Sequence, residues 1–472
     1  MPIGTPGPGS APYNSDPYYG TLGVAGAVNV PGGRNSSAYW TDRKGNFWLF
    51  GGDGLDGSSA PNEGLLNDLW EYSPMINEWT WVGGSSALSN TPCLPGPGFC
   101  GLPGVYGSMG TPSPSNVPGG RKLAVSWTDS AGNLWLFGGL GIDSTGSLGN
   151  LNDLWEFNPS MKEWTWISGS NTLNSSQGLE GIYGTQGVAD AANVPPGLND
   201  ATGWIDKNDN LWLFAGSGVT PGGSQGFEYN NLWKFDPSTR EWTWMTGTGT
   251  NQNTANGVYG TLGTAAPGNT PSGRFGATGW MDSSGNMWLF GGYGIYPSTN
   301  GFGENDVNEL WEFNPTSNLW TWVAGTAGGV LNSFGNLVPP SGAYGSLGVA
   351  SADNHPGGRY GGTGWIDGDG NIWLFGGEGD DSTGTYGTLN DLWEFSPVDK
   401  EWTWMGGDNT AWQGGIYGTE GTSDAANIPG SRYNTASWKD SRGNFWLFAG
   451  WGIIDIGEGG STALNDLWYY QP

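Results

Sequence analysis

The sequence predicts an all-β chain built from repeated, turn-rich units, and three observations carry that expectation. Glycine supplies 89 of 472 residues while charged residues make up only 12%, where about 25% is usual for a globular chain. The chain also carries 30 Trp, 18 Tyr and 17 Phe, enough apolar surface to exclude a collagen-like or disordered polymer. Finally, Tyr-Gly recurs with its tyrosine at Tyr19, Tyr106, Tyr183, Tyr259, Tyr344 and Tyr417, at spacings of 87, 77, 76, 85 and 73 residues. Trp40, Trp127, Trp204, Trp280, Trp365 and Trp438 repeat the same five spacings. Such a period defines a whole fold, and it overrules the length-based expectation of about three domains.

Each copy contains four short β-type segments, here named a to d: Asn35 to Thr41, Asn46 to Gly51, Asp68 to Tyr72 and Glu78 to Val82 in the first. The a–b link reads Asp-x-x-Gly-Asn, as in Asp42 to Asn46, with glycine suited to the left-handed position of a hairpin. Asp209 takes that position in the third copy, which aspartate tolerates better than most residues. The c–d link is another short turn, Ser73 to Asn77. Four antiparallel strands repeated about a ring make a propeller, whose small sheets bury both faces against their neighbours. That architecture gives 28 of the tryptophans a core role, and Trp412 and Trp451 alone fall outside the repeat. The expected organisation is an N-terminal Pro/Gly-rich segment, 1–18, and one six-bladed propeller over 19–472.

The repeat resembles the kelch family. The residues that carry the resemblance are Pro31 to Arg34 (Pro-x-x-Arg), Trp48 to Gly52 (Trp-Leu-Phe-Gly-Gly), Asn67 to Tyr72 (Asn-Asp-Leu-Trp-Glu-Tyr) and Glu78 to Trp81 (Glu-Trp-Thr-Trp), recurring from Tyr19 onward. The copies exceed the usual kelch length of about 50 residues. Leu198 replaces the arginine in the third copy, and Ala215 and Ala449 stand where the first has Gly51. The resemblance implies that strand a is innermost and strand d outermost.

The net charge of −28 opposes contact with phosphate backbones and anionic lipid headgroups. No stretch approaches the roughly 20 apolar residues that span a bilayer. Cys93 and Cys100, in the loop CLPGPGFC, stand close enough to close a small disulfide ring, which favours an extracellular or cell-surface location. No signal segment opens this sequence.

The d–a and b–c links share one face of the disc, because the strands alternate in direction. The d–a spans, from Trp81 to Arg121 and its equivalents, run 40, 32, 30, 37 and 28 residues, and long loops on a rigid scaffold are the usual seat of recognition. The expected function is therefore a non-catalytic scaffold that binds a protein or glycan through this face. Candidate ligand-binding residues are the loop aromatics Trp412, Trp451, Tyr293 and Tyr296, which suit stacking on sugar rings. Arg34, Arg121, Arg274, Arg359 and Arg432 form a second candidate set, a ring of forks for an acidic ligand. Glu378, Asp380 and Asp381 are the candidate calcium ligands.

A carbohydrate-active enzyme is a distant third reading, and catalysis has little support. His355 is the only histidine, and it stands where other copies have Val30, Val117, Val194, Thr270 and Ile428. A galactose-oxidase-type copper site, which needs two histidines, is excluded. The glycine pattern Gly52 to Gly57 matches a dinucleotide fingerprint, but no helix pattern follows and Gly-x-Gly recurs in every copy. The sixth copy stops at Pro472 after Leu467 to Gln471, without a Glu-Trp-Thr-Trp strand. An unpaired edge invites another strand, so the alternative function is a structural subunit of an extracellular polymer, assembling through the last blade, residues 1 to 18 or the loops.

Overall fold

The computed structural model describes residues 15–58, 62–88, 100–174, 178–219, 225–249, 255–298, 301–328, 330–331, 337–454 and 460–472, with side chains outside the description at 225–226, 296–298, 301–304, 330–331 and 337. The described chain is all-β, in antiparallel sheets of two to five strands. Among the described residues no helix is long and apolar enough to cross a membrane.

The first five repeats each form one ladder in the order a-b-c-d, and among the described residues the sixth shows a, b and c. In the first repeat the strands are Ala38–Thr41, Phe47–Leu55, Glu63–Ser73 and Glu78–Gly83. The alternation of buried and half-buried residues in Ala38–Thr41 gives strand a one face in the core. Strand Phe47–Leu55 is buried almost throughout, as a strand packed between neighbouring sheets must be. Strands b and c run further than the sequence pattern indicated, past a bulge between Phe50 and Gly52. Beyond it strand b pairs with Arg34–Asn35 on the loop side.

The bulge explains the glycine pair. Gly51 lies at φ 63° and Gly52 at φ 98°, and the equivalents Ala215 and Ala449 sit at 61° and 62°. The first position is left-handed α, which alanine enters at a modest cost, whereas the second belongs to glycine. A Cβ on Gly52 would also lie 2.7 Å from the Asn35 carbonyl oxygen. In repeats three, four and six the bend breaks the ladder, so a separate loop-side sheet is counted for each, as in Leu198–Asn199 with Ser217–Val219 and Gln225–Glu228.

Strand a lines the axis. A cavity of about 200 Å³ is bordered by Ser36, Leu123, Asp200, Gly276, Gly361 and Asn434, one from each repeat. These six residues form a closed cycle of backbone hydrogen bonds: Ser36 N–H donates to the Asn434 carbonyl, Leu123 to Ser36, Asp200 to Leu123, Gly276 to Asp200, Gly361 to Gly276 and Asn434 to Gly361, all at 2.8–2.9 Å. All six hold positive φ, from 53° to 66°. The left-handed kink explains why strand a appears as two pieces, such as Arg34–Asn35 and Ala38–Thr41. The Arg34 N–H donates to Leu464 and Gly450 to Arg34, so the first and sixth repeats are bonded directly.

The aromatic residues fill the spaces between ladders. Trp79 of the first repeat packs on Phe448 of the sixth at 5.1 Å, and Trp164 of the second on Phe50 of the first at 5.4 Å. The hairpin aspartates hold this arrangement at its turn end. Asp42 accepts the backbone N–H groups of Lys44 and Asn46 and the indole N–H of Trp48. Asp367 does the same for Asp369, Asn371 and Trp373. Asp209 adopts the left-handed conformation, at φ 63°.

Candidate functional site

The five arginines are turned into the protein. Arg34 is fully buried and grips Asp68 with both terminal nitrogens at 2.8 Å, while its remaining donors reach the carbonyls of Gly32 and Gly51. The same carboxylate accepts the Tyr19 hydroxyl and the Trp70 indole N–H. Burial, then Asp68, drives the Tyr19 hydroxyl far above its ordinary pKa, so it stays a donor. Arg121, Arg359 and Arg432 repeat the bidentate pair with Asp153, Asp391 and Asp466, and Arg274 meets Glu309 through one nitrogen. The expectation of a ring of forks open to an acidic ligand is corrected: every fork is satisfied inside its own repeat. In the third repeat Leu198 is accompanied by Asn231 in place of the aspartate, and Asn231 donates to the Tyr183 hydroxyl. Both charges are replaced together.

The acidic loop residues also have separate partners. Asp381 accepts Thr383 and Thr385 N–H on one oxygen and Ala411 N–H on the other. Asp56 and Asp143 cap their loops in the same way, with Leu88 and Leu173 as the distant donors. Glu378 accepts the Tyr360 hydroxyl. Asp380 is buried, and burial followed by the charge of Asp381 raises its carboxyl to about 6. Among the described residues no group of three or more His, Cys, Asp or Glu side chains is arranged to hold a metal ion. Cys93 lies outside the described residues, so the expected ring with Cys100 is not placed.

His355 occupies the place of Val30, as Ala343 and Tyr18 bridge to them in the same way. Its Nδ1 is 3.3 Å from the Asn308 amide nitrogen and 3.2 Å from the Pro356 carbonyl.

What remains on the loop face is a mouth around the axis. Each repeat contributes the residue after the arginine position and its cross-strand partner: Asn35 with Asp53, Lys122 with Leu140, Asn199 with Ser217, Phe275 with Tyr293, Tyr360 with Glu378, and Tyr433 with Trp451. All twelve are half-buried, the state expected of side chains that line an opening. The ring is polar on one side, where Lys122 pairs with Asp53 at 2.8 Å. On the other side it is an aromatic crescent: Phe275 stands 5.2 Å from Tyr293 and 5.9 Å from Tyr360, and Tyr360 stands 5.9 Å from Tyr433.

Carboxyl groups adjoin the crescent. Burial, then Asp380 and Glu378, raise the Asp306 carboxyl to about 8. Burial and Glu378 raise the Tyr433 hydroxyl to about 12. Aromatic rings inclined to one another and edged with hydroxyls and carboxyls suit a ligand with apolar faces and hydroxyl rims.

Two expected aromatics, Tyr293 and Trp451, belong to this mouth. Trp412 is offset from it: it is 43% exposed, at φ 65°, and its indole donates to the Tyr386 carbonyl. Strand Tyr293–Ser298 includes Tyr296, whose side chain lies outside the described residues. Sequence reasoning missed Phe275, Tyr360 and Tyr433. The signal was present as one varying position beside a constant one: Asn35, Lys122, Asn199, Phe275, Tyr360 and Tyr433 follow the repeated Arg or Leu.

No family model matches the chain. No curated protein matches it either. Among solved structures it is similar to the one described as "Structure of YjhT", at 15% sequence identity and a TM-score of 0.50, over 94% of this chain and 99% of that one. At that identity the likeness concerns the fold alone, an all-β, propeller-like arrangement of small antiparallel sheets.

Proposed function

We propose that the chain is a six-bladed kelch-type propeller that acts as a non-catalytic extracellular scaffold and binds a glycan at the mouth of its loop face. The blade count is supported by the cycle of six backbone hydrogen bonds, one from each repeat. The kelch assignment rests on the four ordered motifs of each copy. The extracellular location rests on the cysteine pair, Cys93 and Cys100.

The observation that carries the binding reading is the aromatic crescent of Phe275, Tyr293, Tyr360 and Tyr433 beside Glu378. Sugar rings stack on such side chains through their C–H faces while hydroxyls bond to the edges. The test is a panel of neutral and acidic oligosaccharides titrated against the protein and against F275A/Y360A/Y433A. Each lost aromatic contact is worth about 1 kcal/mol or more, so the triple variant is expected to bind at least about tenfold more weakly at unchanged fold. A protein partner would instead be insensitive to the oligosaccharides.

One observation favours a second reading, a self-assembling structural subunit: among the described residues the sheet of the sixth repeat has three strands, Ala436–Lys439, Phe445–Phe448 and Leu467–Tyr470. Light scattering behind size exclusion, with electron microscopy of the same fractions, tests it. Ordered oligomers support it, and a monomer removes it.

A further inference from the structure

One position of the repeat carries a carboxyl where the other copies carry an aliphatic side chain. The residue after the glycine that faces the arginine position is Leu55, Ile142, Val219, Ile295 and Ile453 in copies one to four and six, and Asp380 in copy five. Asp380 is 5% exposed, and its Oδ2 has no hydrogen-bond partner among the described residues. Burial, then the charge of Asp381, raises its carboxyl to about 6. A buried acid without a hydrogen bond costs stability, and such groups gather where a protein binds or reacts.

Asp380 adjoins the aromatic crescent. Glu378 lies two residues before it on strand Ile372–Asp380, so both side chains leave the same face. Thr388 stands opposite Glu378 in the ladder. It is 1% exposed, and its hydroxyl has no hydrogen-bond partner among the described residues. Asp306, opposite Tyr293 in the preceding repeat, feels the charges of both Asp380 and Glu378. Tyr386, opposite Asp380, feels those of Asp306 and Glu378. Three carboxyls therefore share the surroundings of the crescent tyrosines. Arg359 is the cation that reaches Asp306 and Asp380, but both its terminal nitrogens are committed to Asp391. It cannot also neutralise three more acids.

We propose that the crescent is a seat for an organic cation, and that the glycan it selects carries a free, protonated amine: an amino sugar whose ammonium lies between the rings of Tyr360 and Tyr433 beside Glu378. The inference rests on the glycan reading of the mouth and adds the charge of the sugar. Aromatic ring faces are electron-rich and attract ammonium groups. The rings are inclined, by 69° between Phe275 and Tyr360 and by 64° between Tyr360 and Tyr433, so they form walls rather than a platform. A carboxylate beside such walls adds charge-assisted hydrogen bonds. An acidic sugar would be repelled by the same carboxyls, and an acetylated amine would bring them no charge.

The probes are a β-linked N-acetylglucosamine tetramer and the same tetramer with one amine freed, titrated against the full chain by calorimetry at about pH 6, where an amine is charged. The freed amine is expected to tighten binding by about tenfold or more, as for a charged hydrogen bond with a cation–π contact. Glu378→Gln and Asp380→Ile are each expected to remove most of that gain. Asp380→Ile installs the residue type of Ile142 and Ile295, so the melting temperature is expected to stay level or rise, which separates lost binding from lost fold. Asp399→Asn, at an exposed turn, removes the same charge elsewhere and is expected to leave the gain intact. Equal binding of the two tetramers overturns the proposal, as does a gain that survives Glu378→Gln or Asp380→Ile, or one that Asp399→Asn also removes. If neither tetramer binds while another oligosaccharide of the panel does, the proposal is overturned and the glycan reading stands. If no oligosaccharide binds at all, the glycan reading falls and this inference falls with it.

Discussion

The buried arginine is the residue on which five of the six repeats turn. Removing one partner of a buried ion pair leaves the other charge uncompensated, at a cost of about 3–5 kcal/mol, whereas removing both together is often nearly neutral. The third repeat already carries the double replacement, Leu198 with Asn231. Arg121→Leu is therefore expected to lower stability by about 3 kcal/mol or more, and R121L/D153N to recover most of that loss. Urea unfolding of the two variants checks this, and equal destabilisation would contradict the account. The sequence showed the arginine and its exception at Leu198. It concealed the partner, because Asp68 and Arg34 lie 34 residues apart and only the fold brings them together. The acidic residues set a pH dependence. Burial raises Asp200 to about 7, Asp380 to about 6 and Asp306 to about 8, from 3.8. The folded protein then binds more protons than the unfolded chain between about pH 4 and 8, so stability falls as pH rises through that window. The loop-capping Asp56, Asp143 and Asp381 are shifted below 3.8, and what they contribute is lost as pH falls below that value. Melting temperature is expected to peak on the acidic side of neutrality, and Asp306→Asn to flatten the decline from pH 5 to 8. A melting curve unchanged between those pH values would contradict this.

At the scale of the element, strands and hairpins were legible because their signals are local. Alternating aromatics, Asp-x-x-Gly-Asn turns and recurring motifs in one order placed all four strands of a repeat. The extension of strands b and c past the glycine pair was not legible, since it depends on Arg34–Asn35 arriving from the preceding link. The long d–a links were expected to carry recognition, yet their repeated part is structural. Asn116 ties this segment to Thr111 and to the Trp164 carbonyl of strand d, and Ser113 bridges Trp164. Asn427, whose side-chain amide donates among the described residues to Thr422 alone, provides an internal control. Asn116→Ala is expected to cost about 2 kcal/mol, as for a buried donor pair, and Asn427→Ala about 1 kcal/mol or less. Thermal denaturation separates them, and an equal loss would show that strand d is not held by the amide.

Across the whole molecule, closure and function were legible to different degrees. The sixfold period was plain in the tyrosine and tryptophan spacings, but the cycle from Ser36 through Asn434 could not be read, because it is built from backbone groups of six residues of five different types. The mouth was half legible: Tyr293 and Trp451 stood out as loop aromatics, while Phe275, Tyr360 and Tyr433 were hidden beside a structural arginine. The long-range repulsion of a −28 chain keeps copies apart at low salt, so oligosaccharide binding is best measured at one ionic strength. The most direct test of the account is an amide hydrogen-exchange footprint of the protein with the tightest oligosaccharide from the panel. The account predicts slowed exchange at 274–275, 293–295, 359–360, 378, 432–433 and 451, on the aromatic side of the mouth. Slowed exchange confined to the a–b turns or the rim of the disc, or none at all, would contradict it.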